Sequence, residues 1–513
     1  MPLILICIIS LIVGINTIGF SQSSGLDAQF LTIKNNYSVV GMSVIVVKND
    51  DIAYSQGFGL RDISRNLAVN DSTIYRIASI SKFISATALM KLYDEGLFQL
   101  DDDVSDYLGF TLRNPSFPND TITFRKILSH TSSLRDGSGY SSFLSASYNS
   151  NPPPSIQSLL TQGGQYFTAD MFSSNRSPSS HYFTYANINY GVVGTLVEKI
   201  SNRRFDIYCR EEIFQPLEMT SSYNIQDLPD INNVAVLYRK IGNNWIPQAD
   251  NYGGIKPPPR DLSNYIIGSN GLIFAPQGGL RVSANDLSKF MLMIMNGGTF
   301  NGIRILEDST VALITELQWV YTGTNGNNYY GIFNTYGLGS SRTNDLLPNE
   351  TLYGHPGEAY GLISDLYFSK LKDYGIIFVT NGGQWGNGSY SGWYNIEEDV
   401  YQACYNYLDS LTVGIKEEIT PETGFNLYQN YPNPFNPKTK ISFNVGDVGT
   451  GLALSVLRIY DILGNEVTTL LDEYKAPGKH EIEFNAHNLP SGVYVYELSA
   501  ENFIDRKKMI VLK

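Results

Sequence analysis

A polar break at residues 412 to 424 (TVGIKEEITPETG) constrains this chain more than any other feature, because the hydrophobic pattern differs on its two sides. After it, the runs KISFNV, LSVLRIYD, EVTTLL, HEIEFNA, GVYVYELSA and KKMIVLK follow one another at short spacing, divided by Gly, Pro and Asn. Alternation of period two gives each run one apolar face, so these roughly 85 residues are expected to form a small all-β sandwich. Before the break both periods occur. GMSVIVVKND and DIAYSQGFG read as two strands joined by a polar turn, and LISDLYFS and YGIIFVTN as two more around KLKD. Phe83, Ala86, Met90 and Tyr93 recur at helical spacing and mark a buried helix over residues 79–96. Two further helices are expected in YGVVGTLVEKISN and over residues 283–297, the latter opened by a capping-box pattern at Ser283 to Asp286. The body is therefore read as α+β over residues 24–410, followed by a linker at 411–424 and the β module at 425–513. Residues 135–181 are rich in Ser, Gly, Pro and Asn, and are expected as a long irregular excursion, of the kind that either serves a site or is disordered.

At 513 residues the chain suits two folded units, and its net charge of -13 repels phosphate backbones, which excludes nucleic acid as a partner. Residues 2–20 are predominantly apolar, and Gly19 and Ser21 supply small residues before a cleavage point at Gln22. Residues 1–21 are thus read as a signal peptide, leaving no stable transmembrane span once removed; an uncleaved anchor is the alternative. Cys7 falls in that leader. Cys209 and Cys404 are expected as two unpaired, half-buried thiols, with a disulfide the alternative in an oxidising compartment. No CxxC and no His pair at ligand spacing occur, so no metal and no cofactor are expected.

Ser79-Ile-Ser-Lys82 opens the apolar helix. At i and i+3 the hydroxyl and the amine share one face, and a helix N-terminus disfavours a cation there. A buried Lys82 that loses its proton could take one from Ser79, and backbone N–H groups at the helix start could hold an oxyanion. Alone, the spacing is weak evidence, since Ser369-Lys-Leu-Lys372 repeats it in what reads as an exposed polar turn. No GxSxG is present, which argues against an α/β-hydrolase.

Three matches in order are more specific: Ser79-x-x-Lys82 in YRIASISKFISATALMKLYDEG, Tyr185-x-Asn187 in FTYANINYGVVG, and His355-Pro-Gly357 in YGHPGEAYG. With ITFRKILSHTSSL, IFQPLEM and QGGLRVSANDLSKF, they make the body resemble the serine β-lactamase-like and penicillin-binding protein family. That family includes class C β-lactamases, D-alanyl-D-alanine carboxypeptidases, D-aminopeptidases and related esterases. The resemblance implies an antiparallel sheet flanked by helices, with a helical subdomain. It implies that Ser79 attacks a carbonyl to form an acyl-enzyme, that Lys82 and Tyr185 share general-base duty, and that Asn187 holds the substrate amide and the lysine. It also places His355 and Gly357 on the strand lining the cleft, with the N–H groups of Ser79 and Glu358 as an oxyanion hole. His130, in SHTSSL, is read as structural. Pro356 stands where many members have Thr or Ser, which removes one anchor for a substrate carboxylate. The implied function is a serine hydrolase acting on an ester, amide or D-amino-acid peptide; a non-catalytic binding module and a true β-lactamase are the alternatives. His355 is expected to titrate near neutral pH beside Tyr185 and to limit activity in acid.

NLYQNYPNPFNPKTKISF, VLRIYDILGNEV and LPSGVYVYEL make the second unit resemble the C-terminal sorting domain of the type IX secretion system. That implies a protein secreted or held at the cell surface by way of the periplasm, with the secretion machinery as a partner besides a small-molecule or peptide substrate.

Overall fold

GMSVIVVK is apolar at nearly every position, and such a strand needs cover on both faces. The computed structural model describes residues 16–413 and 425–512, apart from 431, 447–451, 463 and 501–502. In it five long strands, β1 (Gly41–Lys48), β2 (Asp51–Asp62), β3 (Leu352–Ala359), β4 (Leu362–Ser369) and β5 (Tyr374–Thr380), lie side by side in the order β3-β4-β5-β1-β2. Short strands extend both edges to make nine, all antiparallel. Among the described residues, six helices of at least 12 residues accompany it: α1 (Asn16–Asn36), α2 (Ile80–Asp94), α3 (Ser138–Asn149), α4 (Asn187–Ser201), α5 (Ala284–Met295) and α6 (Asn395–Val413).

The alternation along β1 sorts the core into two layers. Val44 and Val46, with Tyr367, Ile376 and Phe378, pack against Phe30 of α1 and Val400 and Tyr401 of α6. Ile45 and Val47, with Leu366, Ile377 and Val379, face the opposite layer, which holds α2, α4 and α5. Helix α2 is buried on almost every side, as a helix apolar all round must be. Ser283 caps α5, its hydroxyl accepting from the Asp286 N–H at 3.0 Å. The Asp286 carboxylate does not return the contact and accepts instead from the Thr220 N–H and Lys289. Cys209 and Cys404 are free, buried thiols in the two different layers.

The excursion expected over residues 135–181 is more ordered than its composition suggests. Twelve of its residues form α3, because Tyr140, Phe143 and Ser147 recur on one buried face and packing outweighs the weak helix propensity of Ser and Gly. The expected leader lies mostly outside the described residues, and its remainder falls in α1. Residues 414–424 of the expected linker are also outside them.

The chain divides into two compact units, residues 1–408 and 409–513. The second contains β6 (Asn426–Leu427), β7 (Lys438–Val445), β8 (Ala453–Tyr460), β9 (Glu466–Lys475), β10 (Gly478–Asn485), β11 (Gly492–Ala500) and β12 (Phe503–Val511). They form two sheets, β6-β7-β10 and β9-β8-β11-β12. Ile441 and Phe443 of one pack with Leu457, Ile459, Tyr496 and Leu498 of the other, as two-residue alternation requires of a sandwich.

If Phe143 anchors α3, then Phe143→Ala leaves a cavity in a fully buried position and lowers stability by about 3–5 kcal/mol. Denaturant unfolding measures this; a loss below about 1 kcal/mol would mean that α3 is held by something else.

Candidate active site

The chain reaches Ser79 from the short strand Ile74–Arg76 and turns sharply into α2, with Ala78 at φ 48°. A non-glycine residue there costs on the order of 1–3 kcal/mol, and such strain persists only where surrounding contacts enforce it. Ser79 occupies the N-cap of α2, yet its hydroxyl caps nothing. It receives the Lys82 amine at 3.0 Å, and the Tyr185 hydroxyl faces it.

Lys82 is completely buried. Its Nζ also donates to Asn187 Oδ1 at 2.8 Å and to the Gln277 carbonyl at 2.7 Å. Both are neutral acceptors, and no carboxylate lies within ion-pairing distance among the described residues. Burial pushes the ammonium down to about 7, against a smaller opposing pull from the Asp136 charge. A neutral Lys82 keeps two N–H groups for Asn187 and Gln277 and turns its lone pair to Ser79.

Asp136 escaped the sequence reading. Its Oδ2 accepts from both the backbone N–H and the side-chain amide of Asn187, each at 2.9 Å, and its Oδ1 accepts from the Ile188 N–H at 2.9 Å. The residue at the N-cap of α4 is Ala186, which has no acceptor of its own, so Asp136 caps the helix from a distant point of the chain. The same grip turns Asn187 Oδ1 toward Lys82. The helical pattern of the sequence names neither this cap nor the carboxylate that supplies it.

Tyr185 is clamped from both sides, stacked on Phe333 at 4.9 Å between centroids with the His130 ring 4.5 Å away. Burial raises its phenol far above 10, so it stays protonated. The His130 imidazole accepts the Ala186 N–H at 3.2 Å, and burial keeps it neutral.

His355 departs from expectation. Its Nδ1 donates to the Pro356 carbonyl at 2.6 Å, and its Nε2 accepts from the Tyr336 hydroxyl at 2.9 Å. Burial, with the Lys82 charge nearby, lowers the imidazole to about 3. It is neutral throughout the working range with both nitrogens occupied, so the group poised near neutrality is Lys82. Gly357 has a steric reason: a Cβ there would stand 2.5 Å from the Ile77 carbonyl and 3.2 Å from the Ser79 nitrogen. Its absence lets β3 lie against the start of α2. The Glu358 carboxylate accepts from the Tyr394 hydroxyl at 3.1 Å and is exposed, so a part for Glu358 in the site belongs to its backbone.

The competing Ser369 and Lys372 pair lacks these conditions. Ser369 is buried, contrary to the expected exposed turn. Lys372 is half exposed and ion-paired with Glu350, which keeps it charged.

A serine, a buried lysine three residues on and a tyrosine, set between a helical layer and one strand of an antiparallel sheet, define a penicillin-binding type of fold. The beta-lactamase family model matches residues 26–400, and the chain belongs to that family. The model of the secretion system C-terminal sorting domain matches residues 429–512. This tail directs the protein through type IX secretion to the cell surface or the extracellular space. Among curated relatives, Protein flp of Staphylococcus aureus (strain MRSA252) is 22% identical over 343 residues, 67% of this chain and 60% of its own length. The putative penicillin-binding protein PbpX of Bacillus subtilis (strain 168) is 29% identical over 272 residues, 52% of this chain and 59% of its own. The match thus spans about 60% of the length of these relatives. The octameric penicillin-binding protein homologue from Pyrococcus abyssi superposes with a TM-score of 0.56 at 20% identity, covering 94% of this chain and 99% of that one. The D-amino acid amidase from Ochrobactrum anthropi SV3 gives 0.55 at 18% identity, covering 76% and 99%. D-alanine carboxypeptidase AmpC from Burkholderia cenocepacia gives 0.52 at 17%, also covering 76% and 99%.

The Lys82 environment has a thermodynamic signature. An unfolded lysine titrates near 10.5 and the buried one near 7, so unfolding takes up a proton between those values and stability rises with pH across that window. Lys82→Met removes this dependence. Its stability relative to wild type is expected to be greatest below pH 7 and to decline toward pH 10, as read from denaturant midpoints. A difference independent of pH would contradict the assignment.

Proposed function

We propose that the body, residues 24–410, is a secreted serine hydrolase that works through an acyl-enzyme on an ester, an amide or a D-amino-acid peptide. The observation that carries this reading is the desolvated Lys82 amine, without a counter-ion, 3.0 Å from Ser79 Oγ. Neutral Lys82 takes the Ser79 proton as Oγ attacks the substrate carbonyl. The Tyr185 phenol, still protonated, donates to the reacting oxygen and passes a proton on toward the leaving group. Asn187 keeps the amine in register, through Asp136, and the N–H groups of Ser79 and Glu358 receive the oxyanion. Water then cleaves the acyl-enzyme by the same groups in reverse. His355 and Gly357 line the cleft, the imidazole as a neutral wall. The shared fold with a D-amino acid amidase and a D-alanine carboxypeptidase supports an amide or D-peptide substrate. Pro356 favours a neutral ester over a β-lactam, whose carboxylate lies beside the reacting carbonyl. Export proceeds in two stages, through removal of residues 1–21 and then through the sorting module, residues 425–513, joined by the 411–424 linker.

Ser79→Ala is expected to abolish labelling by a fluorophosphonate and to cut ester turnover by several powers of ten, with the circular-dichroism spectrum unchanged. Retained activity in that variant, or loss in Ser369→Ala, refutes the choice of nucleophile. Because the base must be neutral, kcat/KM should rise with pH through an apparent pKa near 7 set by Lys82. The midpoint should persist in His355→Gln even where the rate falls; a midpoint that vanishes would return the titration to His355.

A further inference from the structure

A cleft of about 540 Å³ has Tyr148, Arg204, Arg260, Phe274 and Arg281 in its walls. Three guanidinium groups converge there, and their charges are not equivalent. Arg204 is held by Asp206 at 2.5 Å and Arg281 by Asp250 at 2.8 Å. Arg260 has no carboxylate within ion-pairing distance among the described residues. It donates to the Ser147 and Ile273 carbonyls and lies over the Tyr148 ring, 5.7 Å from its centroid. Carbonyl oxygens satisfy N–H groups but leave the charge uncompensated, and a half-buried guanidinium in that state is a standing cost to the fold.

The cleft and the reacting groups share a wall. The Tyr148 hydroxyl faces the Gln277 side chain, and the Gln277 carbonyl is the acceptor that holds Lys82 Nζ at 2.7 Å. Gln277 Oε1 is buried without a partner. Gln277 thus stands between the cleft wall at Tyr148 and the Lys82 amine.

We propose that this cleft is a subsite for a carboxylate carried by the substrate several bonds from the scissile carbonyl, with Arg260 as its cation and Tyr148 and Phe274 as an apolar floor. A carboxylate matches the planar fork of arginine and forms charge-assisted hydrogen bonds with it. The division of labour with Pro356 is consistent: the acid is held away from the reacting carbonyl rather than next to it. The proposal rests on the hydrolase reading only for the place of the scissile carbonyl.

The test uses full-length Ser79→Ala protein and calorimetric titration with the monomethyl esters of adipate, suberate and sebacate, each against its ω-amide. At one or more chain lengths the acid should bind about tenfold tighter than the amide. Arg260→Met in the same background should abolish that preference and leave amide affinity within about twofold, while Arg260→Lys keeps part of it. Arg260→Gln replaces the methionine variant if thermal melting shows the latter unfolded. No acid preference at any length, or a preference that survives loss of the guanidinium, overturns the subsite. The same esters offered to the unmutated chain separate the two readings. Acid preference in binding without hydrolysis supports the subsite and overturns the hydrolase; hydrolysis of both without acid preference in binding does the reverse.

Discussion

One amine deprived of both water and a counter-ion organises this molecule. An ammonium buried in that way is costly, and the fold meets the cost by letting Lys82 become neutral near pH 7 rather than by pairing it. The environment depends on nearly every layer described. Helix α2 is buried all round and carries the lysine inward; α4 brings Asn187; the segment before α5 brings the Gln277 carbonyl; β3 lies against the start of α2 at Gly357. A carboxylate in place of either neutral acceptor would raise the lysine's pKa and abolish the base.

The neighbouring groups respect the same restriction. Asp136 is the nearby anion, and it is spent on the start of α4, where two backbone N–H groups and the Asn187 amide hold its oxygens. Its charge still reaches Lys82 and opposes desolvation, but burial prevails. Tyr185, His130 and His355 are all held neutral by burial, so the lysine is the group among them that changes charge near neutrality.

Much of this was legible in the sequence. The two-sided apolar run at residues 41–48, the hairpin around KLKD and the helical spacing from Ser79 all follow from periodicity, which local residues fix. Alternation in the second unit likewise announced its two sheets. What was not legible depended on partners far apart in the chain. Nothing in SHTSSLRDG marks Asp136 as the cap of a helix 51 residues on. The isolated pKa of histidine suggested a titration for His355 that only its burial against Tyr336 removes. Helix α3 is written in Ser and Gly, and only the burial of Phe143 reveals why it forms.

The state of the Lys82 amine decides whether Ser79 has a base at all. Carbon-detected NMR of the protein with ¹³C-labelled lysine, assigned by comparison with Lys82→Met, follows that single amine as pH is varied. A midpoint near 7 is the predicted result; a midpoint near the 10.5 of a free lysine would show an ammonium at working pH and contradict the mechanism.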